Sequence, residues 1–114
     1  MTDDRTEGAE GPVWIADDDR SIRWVLEKAL TRAGITVRAF DRGDAVLRAL
    51  EDGAEAPLVL VSDVRMPGIS GTDLLTKVAE AHPEMPVIIM TAFSDLESAV
   101  TAFRGGAFEY LAKP

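Results

Sequence analysis

"PLVLVSDVRMPGISG", residues 57–71, joins a run of apolar residues to an aspartate, Asp63, and then to a loop rich in proline and glycine. A continuous apolar run bounded by turn residues reads as a strand buried on both faces. Leu74, Leu75, Val78 and Ala81 follow at helical spacing, and His82-Pro83 ends them. His82 there reads as a C-terminal cap rather than a phosphodonor or a ligand. Strand, carboxylate, loop and helix form the unit to look for elsewhere in the chain.

The unit recurs on both sides. Upstream, "PVWIA" is a short β-rich run that stops at Asp17, Asp18 and Asp19, after which Ile22, Val25, Leu26, Ala29, Leu30 and Ala33 give one face of a helix closed by Gly34. "ITVRAF" reads as a strand, and Ala45, Val46, Ala49 and Leu50 as a short helix stopped by Gly53. Downstream, "PVIIMTA" is another apolar strand, followed by Leu96, Ala99, Val100 and Phe103 on a helix ending at Gly105-Gly106, and "AFEYLA" is a last strand before Lys113-Pro114. Strands alternating with helices through short connections imply right-handed crossovers and a parallel sheet, an α/β doubly wound fold. "ITVRAF", with Arg38 inside it, suits an edge, which favours the strand order 2-1-3-4-5. In that order sites lie at the carboxyl ends of the strands, where Asp17 to Asp19 and Asp63 fall.

The bulk properties narrow the function. With 114 residues, 46% hydrophobic and 28% charged, the chain has the size of one globular domain. Residues 1–11 are too polar to repay the entropy of ordering and read as a flexible acidic tail, leaving residues 12–114 as the domain. There is no cysteine and only one histidine, His82, so a thiolate or zinc site is excluded and any metal must be held by oxygen. A formal charge of -8 argues against direct contact with nucleic acid or an anionic membrane. No apolar run is long enough to span a bilayer and the acidic start "MTDDRTEGAEG" lacks the parts of a signal peptide, so a cytoplasmic location is expected.

Carboxylates converging on one crevice repel one another, and a hard divalent cation with oxygen ligands, Mg²⁺ above all, relieves them. Beside such a cation a carboxylate can attack a phosphoryl group, and Asp63, alone at its strand end, is the natural nucleophile. Thr91 would close its strand with a hydroxyl aimed at a phosphoryl oxygen, and Lys113 would bring an ammonium to the same rim. Each residue also has a plain structural reading: Asp19 as a helix cap, Asp63 as a turn residue, Thr91 as a strand end, Lys113 as a solvated charge. Their shared position at the carboxyl ends of one sheet is what favours a site. Trp24 stands off the apolar stripe of the first helix beside Arg23, either lying across its neighbours or forming a partner-docking spot.

From about Pro12 to Pro114 the sequence resembles a response-regulator receiver (CheY-like) domain. The resemblance is carried by Asp17 and Asp18, Asp63, Thr91, Tyr110 and Lys113-Pro114. "VWIADDDRSIRWVLEKAL", "SDVRMPGISG", "PVIIMTAFSDLESAV" and "GAFEYLAKP" resemble, more narrowly, the nitrogen-regulatory subgroup of sigma-54-dependent activators, with Phe93 where that subgroup usually has histidine. The resemblance implies a flavodoxin-like five-stranded sheet and a phosphoryl group taken from a sensor histidine kinase onto Asp63. It also implies Mg²⁺ held by Asp18 directly, by Asp17 through water, by Asp63 and by the backbone carbonyl of Arg65. It further implies a cis Lys113-Pro114 bond that aims the lysine at Asp63. Thr91 would swing toward the new phosphoryl group and vacate space for Tyr110, changing the face presented by the fourth helix and fifth strand. Output ATPase and DNA-binding domains in a longer parent chain are implied, as is a homodimer on phosphorylation. The final helix of the family is absent from this sequence, which should uncover apolar surface beside the first helix.

Two other readings stay open at this level. "IADDDRS" can also be read as a haloacid-dehalogenase-like phosphatase, with Asp17 as nucleophile and Asp19 as general acid, although this leaves Asp63 without a role. A domain with the same fold that is never phosphorylated would be an interaction module. Nucleotide binding is disfavoured, since neither a G-x-G-x-x-G nor a P-loop is present.

Overall fold

Backbone hydrogen bonds place five short strands side by side in a parallel sheet, with a helix in each of the first three connections. The computed structural model describes residues 12–53, 56–91 and 109–112. The elements are β1 (Val13–Ala16), α1 (Arg20–Arg32), β2 (Val37–Phe40), α2 (Gly43–Glu51), β3 (Val59–Asp63), α3 (Gly71–Ala81), β4 (Val87–Thr91) and β5 (Glu109–Ala112). The sheet order is β2-β1-β3-β4-β5, the order predicted from the edge character of "ITVRAF". The tail of residues 1–11, the fourth helix and Lys113-Pro114 with its predicted cis bond lie outside the described residues.

The apolar strands are central because their side chains are apolar on both faces. All four residues of β1 are buried, and Leu60 and Ile89, on neighbouring strands, have no exposed surface. Each such side chain contributes roughly 1.5–3 kcal/mol relative to exposure. One core on the α2/α3 side gathers Trp14, Phe40, Val46, Leu60, Leu74, Leu75, Val78 and Ile89. Arg38, in edge strand β2, lays its guanidinium over the rings of Trp14 and Phe40, 5.4 and 4.9 Å from their centroids. A residue that marked an edge in the sequence thus also covers the aromatic end of the core.

Local chemistry sets the helix ends. Asp19 caps α1, its Oδ1 accepting from the amides of Ser21 (2.8 Å) and Ile22 (3.2 Å), as the plain reading of that residue predicts. At the other end Gly34 takes φ +81°, and the amides of Gly34 and Ile35 donate to the carbonyls of Thr31 (3.0 Å) and Leu30 (2.9 Å). That pair of bonds is a Schellman closure. It draws Ile35 into the helix stop, so the second strand begins at Val37 and not at the start of "ITVRAF". Ser70 caps α3 by accepting from the Asp73 amide at 3.1 Å, and the His82 amide donates to the Val78 carbonyl at 2.6 Å, closing α3 where the sequence places its end. α1 buries none of its residues completely; Trp24 is 60% and Val25 44% exposed, so its apolar face is only half covered by the described residues.

Candidate functional site

The topology brings the strand ends of β1 and β3 together. Ala16 pairs with Ser62, so the next residues, Asp17 just past β1 and Asp63 at the last position of β3, stand side by side. Oxygens of Asp17, Asp18 and Asp63 lie within 4.8 Å of one another, two of the three carboxylates being buried and Asp18 exposed. Asp17 has no exposed surface and Asp63 is 5% exposed. Carboxylates this close and this buried repel strongly unless a cation or hydrogen-bond donors offset the charge.

The surroundings hold the backbone of this corner firmly. The Asp17 amide donates to the Phe40 carbonyl at 3.1 Å, and Asp17 Oδ1 accepts from the Asp19 amide at 2.8 Å. Arg23 reaches back from the first turn of α1, its Nη1 donating to the Asp17 carbonyl at 2.7 Å. On β3, the Ser62 hydroxyl donates to the Asp63 carbonyl at 3.0 Å. The Val64 amide continues the ladder to the Met90 carbonyl (3.1 Å), and the Gly71 amide donates to the Val64 carbonyl at 2.8 Å. Gly68, at φ +76°, makes the reversal between them. The loop after Asp63 is therefore tied down at both ends.

The donor set fits a hard divalent cation. Three carboxylates at this separation, open to solvent on the Asp18 side and without nitrogen or sulfur donors in the cluster, suit oxygen-only coordination. Asp19 is not in the cluster; its carboxylate is engaged by the α1 cap, which suits it to a structural role rather than to that of the general acid in the phosphatase reading.

The other predicted residues fall as follows. Thr91 is the last residue of β4, one beyond Met90, the partner of Asp63. Tyr110 lies on β5 opposite Ile89, so both stand on the two strands next in order from β3. Arg65 is in the exposed part of the loop two residues past Asp63. Trp24 projects from α1, with Lys28 Nζ 5.6 Å from its ring centroid. Lys113 lies outside the described residues. Two features of the site carry no motif signal: the inward bond of Arg23 and the role of Gly71 as a spacer against Asp63. The first follows from the length of an arginine side chain one turn past a strand end. The second is hidden because glycine after Pro67 and Gly68 looks like an ordinary loop residue.

Comparison with known proteins agrees with this geometry. A family model described as the response regulator receiver domain matches residues 13–114. The DNA-binding transcriptional regulator NtrC of Salmonella typhimurium is 56% identical over 104 residues, spanning 91% of this chain and 22% of the relative. The C4-dicarboxylate transport transcriptional regulatory protein DctD of Pseudomonas aeruginosa is 41% identical over 106 residues, 93% of this chain and 22% of that protein. The chain thus spans about a fifth of the length of these curated relatives. Among solved structures, the apo receiver domain of Nitrogen Regulatory Protein C superposes with a TM-score of 0.79 at 55% identity, covering 93% of this chain and 84% of the other. The BeF3 activated form of that domain gives 0.76 at 55% identity, covering 92% and 83%. With the paired acidic strand ends, the sheet order and a family match over nearly its whole length, the chain belongs to the response regulator receiver domain family, and it is similar to the receivers of NtrC-type regulators.

Proposed function

We propose that this domain accepts a phosphoryl group on Asp63 from the phosphohistidine of a sensor kinase. The observation that carries the reading is the meeting of Asp17, Asp18 and Asp63 within 4.8 Å at the ends of β1 and β3. A carboxylate oxygen of Asp63 attacks phosphorus in line with the leaving imidazole nitrogen. The P–N bond breaks as the O–P bond forms, the imidazole nitrogen keeps the electron pair and takes up a proton, and Asp63 becomes an acyl phosphate. Asp63 is 5% exposed at the end of β3, and its backbone is held in the ladder with β4, which limits its motion during the transfer.

Mg²⁺ is the cation this donor set suits, with Asp17, Asp18 and Asp63 as carboxylate ligands and the Arg65 carbonyl as a further oxygen. When bound it neutralises the carboxylates and the phosphoryl oxygens as charge develops. Lys113 supplies a second positive charge, and Thr91 a hydroxyl for a phosphoryl oxygen. Thr91 and Tyr110, on adjacent strands β4 and β5, couple the phosphoryl group to the surface of the domain. Water attacking the acyl phosphate in the same site would return the domain to its starting state, so the domain would set its own signal lifetime.

The similarity to NtrC and DctD supports a place in a transcription regulator of the nitrogen-regulation type acting with sigma-54, where ATPase and DNA-binding domains elsewhere in the parent protein do the output work. Phosphorylation would then favour a homodimer. Trp24, exposed on the helix that leads away from the acidic corner, is the docking residue for the kinase, with Arg23 beside it. Among the described residues no helix is long and apolar enough to cross a membrane. The test is intact-protein mass after incubation with acetyl phosphate: a single phosphoryl adduct that requires Mg²⁺ and disappears with EDTA is expected. No adduct with Mg²⁺ present would leave the domain as an interaction module.

A further inference from the structure

We propose that Arg23 is a positioning residue of the metal site, holding the backbone of Asp17 so that the carboxylates of Asp17, Asp18 and Asp63 face one another. This rests on the receiver reading above and goes beyond it by assigning a residue that ligates nothing. Arg23 is half-buried one turn into α1, and its Nη1 donates to the Asp17 carbonyl across a span of six residues. The bond closes the corner at which β1 turns into α1. At 2.7 Å, with a charged donor, it belongs to the short, strong class of hydrogen bonds.

Asp17 is held through its amide, its carboxylate and its carbonyl. Its amide is held by the Phe40 carbonyl, its Oδ1 by the Asp19 amide, and its carbonyl by Arg23. Arg23 holds Asp17 through a side chain, so this bond can be removed by substitution without altering the backbone path. β1 ends at Ala16, and the Asp17 carbonyl lies beyond the paired register of that strand with β3. A buried carbonyl past the end of a ladder needs another donor, and Arg23 is it.

The guanidinium has a second effect of opposite sign. Its positive charge offsets repulsion among the carboxylates in the metal-free protein, so losing the charge alone would tighten cation binding. Losing the hydrogen bond would loosen the corner and weaken binding. Arg23 is partly solvated, and salt near the physiological level screens its charge, whereas the geometric constraint is indifferent to salt. Groups that orient metal ligands without touching the metal typically change affinity about 10- to 100-fold when removed.

The experiment is a calorimetric Mg²⁺ titration at about 0.15 M salt on the full chain, wild type against Arg23→Met and Arg23→Lys, with melting curves in EDTA to confirm folding. Arg23→Met keeps the apolar stem and removes the donor; binding about tenfold weaker is expected. Arg23→Lys restores a charged donor and should recover part of the loss. Affinity equal to or tighter than wild type in Arg23→Met, or in Arg23→Ala should the Met variant not fold, overturns the proposal. Wild-type protein that neither binds Mg²⁺ nor accepts phosphoryl from acetyl phosphate overturns the receiver reading itself. A wild type that does both beside a variant that binds Mg²⁺ normally overturns only the role of Arg23.

Discussion

Gly71 lies directly against the carbonyl of Asp63: a Cβ added there would enter the van der Waals envelope of that oxygen and stand 2.8 Å from the carbonyl carbon. The neighbour is backbone, at the end of the strand that carries the acidic site, and it has little room to move. Gly71→Ala should therefore lower stability by about 1–3 kcal/mol in urea unfolding, as overpacking does. It should also slow phosphorylation by acetyl phosphate, because relief of the clash displaces Asp63. A variant as stable and as reactive as wild type would show that the loop absorbs a methyl group freely.

Asp18 and Asp19 are neighbours with different duties, and substitution separates them. Asp19→Ala removes the α1 cap and should cost about 1 kcal/mol of stability, with phosphoryl acceptance retained. Asp18→Asn removes a charge from a repelling, exposed position, so stability in EDTA should hold or rise while Mg²⁺ binding falls. Urea midpoints measured with and without Mg²⁺ distinguish the two.

Cation binding should itself stabilise the fold. Since only the folded chain brings Asp17, Asp18 and Asp63 together, Mg²⁺ at 100 times its dissociation constant should add about 2.7 kcal/mol. The gain is read as a rise in melting temperature over EDTA. It should vanish in Asp18→Asn and persist in Asp19→Ala.

Trp24 is 60% exposed and lies outside the buried core, so Trp24→Ala should change stability by no more than about 0.5 kcal/mol. Transfer from a partner kinase should nevertheless fall by about tenfold or more, as for an interface anchor, while phosphorylation by acetyl phosphate stays unchanged. Equal loss with both donors would move Trp24 from docking to folding.

How legible this was in the sequence depends on the range of the interaction. The strand order followed from which apolar runs were uninterrupted, and Asp19 could be read as a cap because it immediately precedes a helical period. The convergence of Asp17 and Asp63 required only the sheet order, since they follow Ala16 and Ser62, the last residues that β1 and β3 pair with each other. Ile35 was misplaced because β propensity and a Schellman closure compete for the residue after Gly34, and the closure has two hydrogen bonds to offer. The inward turn of Arg23 was illegible for a different reason: at its helical position it stands beside exposed Trp24, and only the three-dimensional corner shows which way a long side chain reaches. Gly71 gave no sign because its constraint is a tertiary contact, with nothing special in its own backbone angles among the positive-φ glycines.

The identity of Asp63 as the phosphoryl acceptor is open to direct chemical mapping. The most direct measurement is to phosphorylate the chain with acetyl phosphate and Mg²⁺, reduce the acyl phosphate with borohydride, and locate the reduced residue by peptide mass spectrometry, with Asp63→Asn in parallel. Modification at Asp63 alone, and none in the variant, is expected. Modification at Asp17, persisting in Asp63→Asn, would contradict that assignment.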